Sequence, residues 1–243
     1  IMAPFLEMHG ISKSFPGVKA LDRVDLALDR GEVLGLVGEN GAGKSTLMKI
    51  MTGVYQADTG EIMIDGQKVA IDDPEHAREL GLSIIYQELS MVENLTVAEN
   101  IFLAREYTGR LGFVDSNRMN REAARILAIL NLEIDPTTPV RALSVGQKQM
   151  IEIAKAISGN SKIIVMDEPT ASLSHHEAET LLAQVKRLRE QGIGIVYITH
   201  RLEEVFEIAD RVTVLRDGRT VETRPIGDVN REYLVRKMVD REL

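Results

Sequence analysis

Gly38-Glu39-Asn40-Gly41-Ala42-Gly43-Lys44-Ser45 completes the G-x-x-x-x-G-K-[ST] pattern of a phosphate-binding loop, and this stretch decides the fold. A short apolar run at 33–37 precedes the loop and predicts a buried strand. After the loop, Leu47, Ile50 and Met51 recur at helical spacing, which predicts a helix starting near Ser45. Strand, glycine-rich loop and helix therefore follow one another in the order that this motif requires.

The loop predicts a polyphosphate site. Backbone N–H groups of the loop and of the helix N-terminus point at an anion bound there. Lys44 can reach the outer phosphates, and the Ser45 hydroxyl can ligate the magnesium that accompanies a nucleotide. The alternative is a flexible glycine turn in which Lys44 is an ordinary surface charge. The complete pattern between a strand and a helix favours nucleotide binding.

Length, charge and composition limit the number of domains, the binding partners and the cellular compartment that we expect. Its 243 residues suit one domain, or one domain with a small inserted lobe. The net charge of −8 argues against direct binding to nucleic acid or to an anionic membrane surface through a bulk positive field. A membrane role would therefore act through a protein partner. The sequence has no cysteine and no apolar run near the ~20 residues that span a bilayer, so we expect a reducing, cytosolic compartment.

Local patterns predict the order of the elements. Alternation of apolar with polar or small residues predicts antiparallel strands at 5–11 and 24–28, and continuous apolar runs predict buried strands at 82–86, 162–168 and 193–199. Asp-Gly dipeptides predict hairpin turns. Apolar stripes predict helices, four of which are expected to begin after capping residues: Asp73, Thr96, Ser174 and Asn230. Thr96 and Ser174 are expected to form capping boxes with Glu99 and Glu177. The hairpin turns are expected at 65–66 and 217–218, and the helices at 73–81, 97–103, 121–132, 144–158, 174–192 and 230–238. In the helix at 121–132, Ala124, Leu127 and Leu130 are expected to share one apolar face.

These elements predict an α/β fold with a phosphate-loop NTPase core. The core contains a mostly parallel sheet and an antiparallel β layer, and it occupies about 1–87 and 159–243 of a single domain, 1–243. A mostly helical lobe is expected to be inserted at about 88–158.

Candidate catalytic groups follow the predicted parallel strands, at the sheet edge where ligands bind in such folds. Asp167 ends a strongly apolar run and is placed to help hold magnesium, while Glu168 beside it is placed to polarise an attacking water. Their alternative role is to cap a turn before Pro169. Gln87 follows another strand. His200 ends a third strand, where a neutral imidazole could donate to the terminal phosphate, although a lone histidine is more often structural or on the surface. His175 and His176 are expected on the surface.

With these motifs in order, the whole chain resembles the nucleotide-binding cassette of ABC transporters. The resemblance implies that Gly38–Thr46 is the Walker A loop that binds ATP, with Thr46 as its last residue, and that Asp167, Ser45 and Gln87 serve Mg²⁺. It further implies that Glu168 is the catalytic glutamate, that Gln87 is the glutamine linking the site to the membrane domain, and that His200 is the switch histidine. Phe15 resembles the aromatic residue that stacks on adenine, with a simple core role as the alternative.

Residues 143–147 resemble the signature loop, in which Ser144, Gly146 and Gln147 would contact nucleotide held by a second cassette. Details of the motifs, among them Tyr86-Gln87-Glu88-Leu89 around Gln87, are similar to the ATP-binding subunits of monosaccharide importers of the ribose, galactose and xylose type. In the broader family pattern, a glycine usually stands in place of Val145 and an aspartate in place of Ser174. The branch carries two cassettes in one chain, so this sequence is expected to be the amino-terminal half.

The resemblance implies an ATPase that powers monosaccharide uptake at the cytoplasmic face of the inner membrane. Its expected partners are a second cassette bound head to tail, membrane permease subunits and, indirectly, a sugar-binding protein. A phosphate-loop kinase or GTPase is less favoured because it would not need a signature loop, and no Asn-Lys-x-Asp guanine-reading motif is present. The alternative function is a non-transport ABC ATPase that acts on ribosomes or nucleic acid. Such proteins usually carry coiled coils or basic arms.

Overall fold

A computed structural model of the protein describes residues 4–88, 90–109 and 112–239. Leu89, which belongs to the motif predicted around Gln87, lies outside the described residues, as does the chain end at 241–243.

The described residues form two sheets. The strands are β1 (Leu6–Phe15), β2 (Val18–Leu28), β3 (Val33–Val37), β4 (Thr59–Ile64), β5 (Gln67–Val69), β6 (Leu82–Ile85), β7 (Ile163–Asp167), β8 (Gly194–Ile198), β9 (Arg211–Arg216) and β10 (Arg219–Pro225). Strands β2-β1-β4-β5 form an antiparallel sheet, and the second sheet has the order β10-β9-β3-β8-β7-β6. In that second sheet every neighbouring pair is parallel except β10 with β9. The predicted mostly parallel sheet and antiparallel layer are both present.

Helices connect and cover these strands. They are α1 (Lys44–Met51), α2 (Pro74–Glu79), α3 (Val97–Ile101), α4 (Ser116–Ile129), α5 (Val145–Ser158), α6 (His175–Glu190), α7 (Leu202–Ile208) and α8 (Arg231–Met238), with short 3-10 helices at Val140–Ala142 and Ile226–Asp228. The predicted caps Asp73, Thr96, Ser174 and Asn230 all accept hydrogen bonds from first-turn N–H groups. Both residues of the Asp65-Gly66 turn have positive φ, as the hairpin prediction requires.

The core lies on both faces of the larger sheet. In β3, Val33 and Val37 belong to one buried cluster and Leu34 and Leu36 to the other, because successive strand residues point to opposite faces. The first cluster also contains the buried side chains of α3, α4 and α5. In the order of the chain, these helices come between β6 and β7. The division into a core and a helical lobe at 88–158 stays a prediction.

The prediction for α4 is wrong in its start and in its buried face. The Asp115 carboxylate accepts the N–H of Arg118 at 2.9 Å, so the helix begins at Ser116, before the predicted Arg121. The earlier start extends the inner stripe back to Met119 and Ala123, which are buried at a spacing of four residues before Leu127. Leu127 and Leu130 are buried as predicted, but Ala124 is exposed.

Two further elements differ from the prediction. Strands β1 and β2 are longer than predicted, because register shifts between Met8 and Ser14 interrupt the alternation on which the prediction relied. Helix α7 was not predicted. Only two turns long, it buries Leu202, Val205 and Ile208, and this stripe is too short to stand out in the sequence.

Within the described ranges, each helix is too short or too polar to cross a membrane.

Candidate active site

The carboxyl ends of four parallel strands meet at one edge of the larger sheet. Leu36 of β3 pairs with Ile198 of β8, and Ile198 pairs with Asp167 of β7. Next to β7, Ile85 of β6 pairs with Met166. The segments that leave these strands are the loop at 38–45, Thr199–His200, Glu168 and Tyr86–Gln87. Parallel pairing therefore brings together the ends of the strands from which the sequence predicted catalytic groups.

Glycine is required at both ends of the loop. Gly43 has φ +104°, in the left-handed region that favours glycine, and a Cβ there would lie 2.8 Å from the carbonyl oxygen of Ala20. A Cβ on Gly38 would lie 2.2 Å from the carbonyl oxygen of Leu215. The backbone of the loop thus packs directly against β9 and against the β2 backbone, which fixes its path.

Lys44 is a buried cation that donates to its own loop. Its side chain is only 7% exposed, and Nζ donates to the carbonyl oxygens of Gly38 at 2.8 Å and Glu39 at 3.0 Å. Burial lowers the pKa of the Lys44 ammonium, while the nearby carboxylates of Glu168 and Asp167 oppose that shift. A buried cation at the junction of a glycine-rich loop and a helix N-terminus is suited to bind an anion.

The first turn of α1 carries the other predicted phosphate and metal contacts. Within the described structure, no side chain caps this helix, so no side chain would compete with a bound anion for its N-terminal N–H groups. Ser45 is exposed and Thr46 is half-buried in this turn. Glu39, Asn40 and Gly41 form the exposed tip of the loop, and Ala42 is buried beneath it.

The two predicted acids occupy different environments. Asp167 is the half-buried last residue of β7, and burial, together with the neighbouring Glu168, raises the pKa of its carboxyl group. Glu168 has φ +46°, an uncommon backbone conformation for a side chain of this size. Its N–H donates to the carbonyl oxygen of Ile198 at 2.8 Å, which anchors this conformation to β8.

Glu168 and His200 contact each other. Oε2 of Glu168 lies 3.2 Å from Nδ1 of His200, and the His200 side chain is 58% exposed. The pair faces the solvent at the sheet edge, next to the end of β3 from which the loop begins. Gln87 is exposed two residues beyond the end of β6.

The donors available for a magnesium ion are hard oxygens: the Ser45 hydroxyl, the Gln87 amide oxygen and the Asp167 carboxylate. Among the described residues, no group of three or more His, Cys, Asp and Glu side chains could hold a metal ion alone. One carboxylate with a hydroxyl and an amide fits Mg²⁺, which proteins usually bind through few side chains together with substrate phosphates and water.

Phe15 ends β1 and is half-buried. Its ring packs edge-on against Tyr55, with a centroid separation of 5.3 Å, and Nζ of Lys13 lies 5.8 Å from the ring centroid. The contact of Phe15 with adenine stays a prediction.

The predicted signature residues open helix α5. The Ser144 hydroxyl accepts the N–H of Gln147 at 3.2 Å, and the Gln147 side chain accepts the N–H of Ser144 at 2.9 Å, which forms a reciprocal cap. Val145, at the first position of the helix, is 43% exposed.

Sequence reasoning missed a contact between this loop and α6. Oε1 of Glu177 accepts hydrogen bonds from the Ser144 hydroxyl at 3.0 Å and from the Gly146 N–H at 3.1 Å. Oε2 accepts from the hydroxyl and the N–H of Ser174 at 2.8 and 3.0 Å. These hydrogen bonds, with the Ser174 hydroxyl as the largest cause, lower the pKa of Glu177 to about 2. The Ser-x-x-Glu pattern predicted only that Glu177 would cap α6.

Glu177 therefore contacts the donors that the sequence assigned to nucleotide. A Cβ on Gly146 would lie 2.5 Å from Oε1 of Glu177, so the glycine permits this close approach. The carboxylate also supplies a negative charge near Ser174, where the broader family pattern has aspartate.

Comparison with known proteins identifies a family. A family model described as ABC transporter matches residues 21–171. A ribose/galactose/methyl galactoside import ATP-binding protein 2 of Burkholderia cenocepacia (strain HI2424) is 52% identical over 241 residues, which cover 99% of this chain and 47% of the relative. A protein of the same name from Agrobacterium fabrum (strain C58 / ATCC 33970) is 51% identical over 238 residues, covering 98% and 46%. The chain spans about half the length of the curated relatives it matches.

Solved structures agree with the fold. A nucleotide-free ATP-binding cassette from an ABC transporter superposes with a TM-score of 0.84 at 28% identity, covering 97% of this chain and 99% of that one. A dimeric bacterial ABC transporter cassette superposes with a TM-score of 0.76 at 27% identity, covering 91% and 98%. The predicted α/β fold class is confirmed.

Proposed function

The chain belongs to the ABC transporter family, and we propose that it binds Mg-ATP and hydrolyses it to power monosaccharide import through partner membrane subunits. The observation that carries the proposal is the sheet edge at which the loop of Lys44, the strand end of Asp167 and the Glu168–His200 pair come together. The sugar substrate class is supported by relatives whose names state ribose and galactose import.

The binding step uses the loop at 38–45. Its N–H groups and the N-terminus of α1 hold the phosphates of ATP, and Lys44 exchanges the carbonyl oxygens of Gly38 and Glu39 for phosphate oxygens. Ser45, Asp167 and Gln87 would hold the magnesium ion, which neutralises phosphate charge. Phe15 would stack on adenine.

The hydrolytic step uses the pair at the strand ends. The Glu168 carboxylate accepts a proton from the attacking water, for which a carboxylate close to the terminal phosphate is required. His200 donates a hydrogen bond to that phosphate and helps to stabilise the charge that develops in the transition state. Their 3.2 Å separation allows both to act on one phosphate and one water.

The site is completed by a second cassette. The loop at 38–45 leads into its own helix α1, so the N-terminus of α5, with Ser144, Gly146 and Gln147, is a separate phosphate-binding position. In a head-to-tail dimer it would close over ATP held by the partner. The existence of a dimeric ABC transporter cassette of the same fold supports this arrangement.

The remaining partners follow from import. Permease subunits would receive the mechanical output through the segment of Gln87, and a sugar-binding protein would deliver the sugar on the other side of the membrane. The cassette would then lie peripherally at the cytoplasmic face of the inner membrane. The net charge of −8 disfavours the alternative of an ATPase acting on ribosomes or nucleic acid.

Glu168→Gln is expected to bind Mg-ATP but to lose ~100-fold or more in hydrolysis rate, because an amide cannot take up the proton of the attacking water. Single-turnover hydrolysis at saturating ATP measures the rate, and a shift in thermal unfolding with Mg-ATP reports binding. Glu190→Gln, which removes the same charge from the exposed end of α6, should hydrolyse like the parent. A Glu168→Gln rate within a few-fold of the parent would contradict the proposed hydrolytic role.

Lys44→Ala and Ser144→Arg are each expected to abolish hydrolysis, and mixing the two variants is expected to restore part of it. The mixed dimer contains one composite site with both residues intact, so the restored rate should rise more steeply than linearly with protein concentration. ATP hydrolysis of each variant and of the mixture measures this. The companion measurement is sedimentation of Glu168→Gln with ATP, where a dimer is expected. A persistent monomer there, with hydrolysis retained by Ser144→Arg alone, would disprove the split site.

Glu177→Gln is expected to strengthen ATP-dependent dimerisation, because Glu177 competes with a phosphate for the Ser144 hydroxyl and the Gly146 N–H. Glutamine preserves the reciprocal cap of α6. The gain should be about two- to five-fold in dimerisation constant, the scale of one exposed charge at a helix N-terminus. Sedimentation in the Glu168→Gln background measures it. Glu179→Gln removes an equal charge from the same helix turn, next to His175 and His176, and should have no such effect. Weaker dimerisation of Glu177→Gln than of Glu179→Gln would refute the competition.

A further inference from the structure

A buried carboxylate is hydrogen-bonded to residues that follow Glu168 and precede His200, and the mechanism proposed above does not use it. Glu204, in the first turn of α7, is only 7% exposed. Four donors from three segments converge on it. Oε1 accepts from the Thr170 hydroxyl at 2.6 Å and from Nη1 of Arg201 at 3.4 Å, while Oε2 accepts from the Tyr197 hydroxyl at 2.8 Å and the Thr199 hydroxyl at 3.2 Å.

The hydrogen bonds around Glu204 suit a group that only accepts. A carboxylate accepts up to about four hydrogen bonds and donates none, which matches the four donors around Glu204. Burial, with the nearby Glu204 charge, raises the pKa of Tyr197 far above its usual range, so the phenol stays protonated and donates. Oε1 of Glu204 thus bonds Thr170 after β7 and Arg201 after β8, while Oε2 bonds Tyr197 and Thr199 at the end of β8.

The two oxygens connect the two loops that carry the catalytic pair. Thr170 lies two residues after Glu168, and Thr199 immediately precedes His200. The Thr199 hydroxyl also accepts the N–H of Arg201 at 3.0 Å, which shapes the turn that follows His200. Because the carboxylate is a small rigid group, bonding Thr170 at one oxygen and Thr199 at the other sets the separation of the two loops.

Stability alone does not account for a glutamate at this position. Burying a charge costs free energy, and well-packed apolar residues are often as stabilising as a buried ionic group. A buried glutamate can instead fix the positions of the groups that bond it. The positions concerned are those of Glu168 and His200, which contact each other at 3.2 Å.

We propose that Glu204 is a positioning residue for ATP hydrolysis, which holds the loops after β7 and β8 at the spacing that aligns Glu168 with His200. The proposal rests on the proposed function, since Glu168 and His200 are assigned to hydrolysis there. It assigns Glu204 no contact with nucleotide, water or magnesium.

The test compares two hydrogen bonds to Glu204. One of them connects the two loops, and the other does not. Thr170→Val removes the bond to the loop of Glu168 and keeps the side-chain shape. Tyr197→Phe removes a bond of similar length that comes from within β8. Both variants leave a buried carboxylate with one donor fewer, so thermal unfolding should show comparable losses of stability. Only Thr170→Val should reduce kcat, by ~10-fold or more, with the KM for ATP changed less than about three-fold, as expected for a group that acts on the transition state.

Two further variants complete the design. Glu204→Gln should also lower kcat, because the amide nitrogen cannot accept the hydrogen bond that one of the two carboxylate oxygens accepts from Thr170 or Thr199. The double variant should be no slower than the slower single one, because both changes weaken the same link. Glu203→Gln, on the exposed face of the same helix turn, should retain the kcat of the parent.

The outcomes separate the two claims. Equal kcat losses in Thr170→Val and Tyr197→Phe, or fully multiplicative losses in the double variant, would overturn the positioning role and leave Glu204 a structural residue. An unchanged kcat in folded Thr170→Val would overturn it as well. If instead Glu168→Gln and His200→Ala hydrolyse ATP like the parent, it is the proposed function that fails.

Discussion

Parallel pairing of β3, β8, β7 and β6 is the constraint on which the site depends. Parallel strands start at one edge of a sheet and end at the other, so every group that follows these strands is delivered to the same edge. Segments separated by more than a hundred residues, such as the loop of Lys44 and the strand end of Asp167, meet there. The helices and the antiparallel sheet bury the two faces of this sheet. The candidate catalytic groups lie at the edge where the parallel strands end.

The strands, the loop and the helix caps could be predicted from sequence because their signals are local. The glycine pattern at 38–45, the apolar run before Asp167 and the box formed by Ser174 and Glu177 each lie within a few neighbouring residues. Long-range pairings could not be predicted in this way. Glu177 binds the loop of Ser144, and Glu204 bonds Thr170, each across more than thirty residues of chain. No periodicity or spacing encodes such contacts, so the sequence identified Glu177 only as a cap and did not single out Glu204.

Local signals also failed where the structure departs from regular geometry. Bulges in β1 and β2 shift the alternation that defines a strand, and the cap at Asp115 starts α4 earlier than its apolar stripe indicated. The assigned roles of the site residues, including Phe15, Gln87 and Gln147, remain predictions that functional variants must test.

The groups assigned to phosphate in both halves of the proposed composite site have partners within the chain. Lys44 donates to the carbonyl oxygens of Gly38 and Glu39, and Ser144 and Gly146 donate to Glu177. Each set of hydrogen bonds offsets the cost of leaving strong donors unpaired. ATP binding would therefore exchange one set of acceptors for another. Phosphate oxygens would replace the carbonyl oxygens of Gly38 and Glu39 at Lys44, and the Glu177 carboxylate at Ser144 and Gly146.

A crystal structure of Glu168→Gln grown with Mg-ATP tests this exchange most directly. The account predicts a triphosphate along residues 38–45, with Nζ of Lys44 released from Gly38 and Glu39 and within hydrogen-bond distance of a phosphate oxygen. It also predicts that the Ser144 hydroxyl and the Gly146 N–H of a second chain contact the terminal phosphate in place of Glu177. A nucleotide bound away from this loop, with Lys44 still donating to both carbonyl oxygens, would contradict the account.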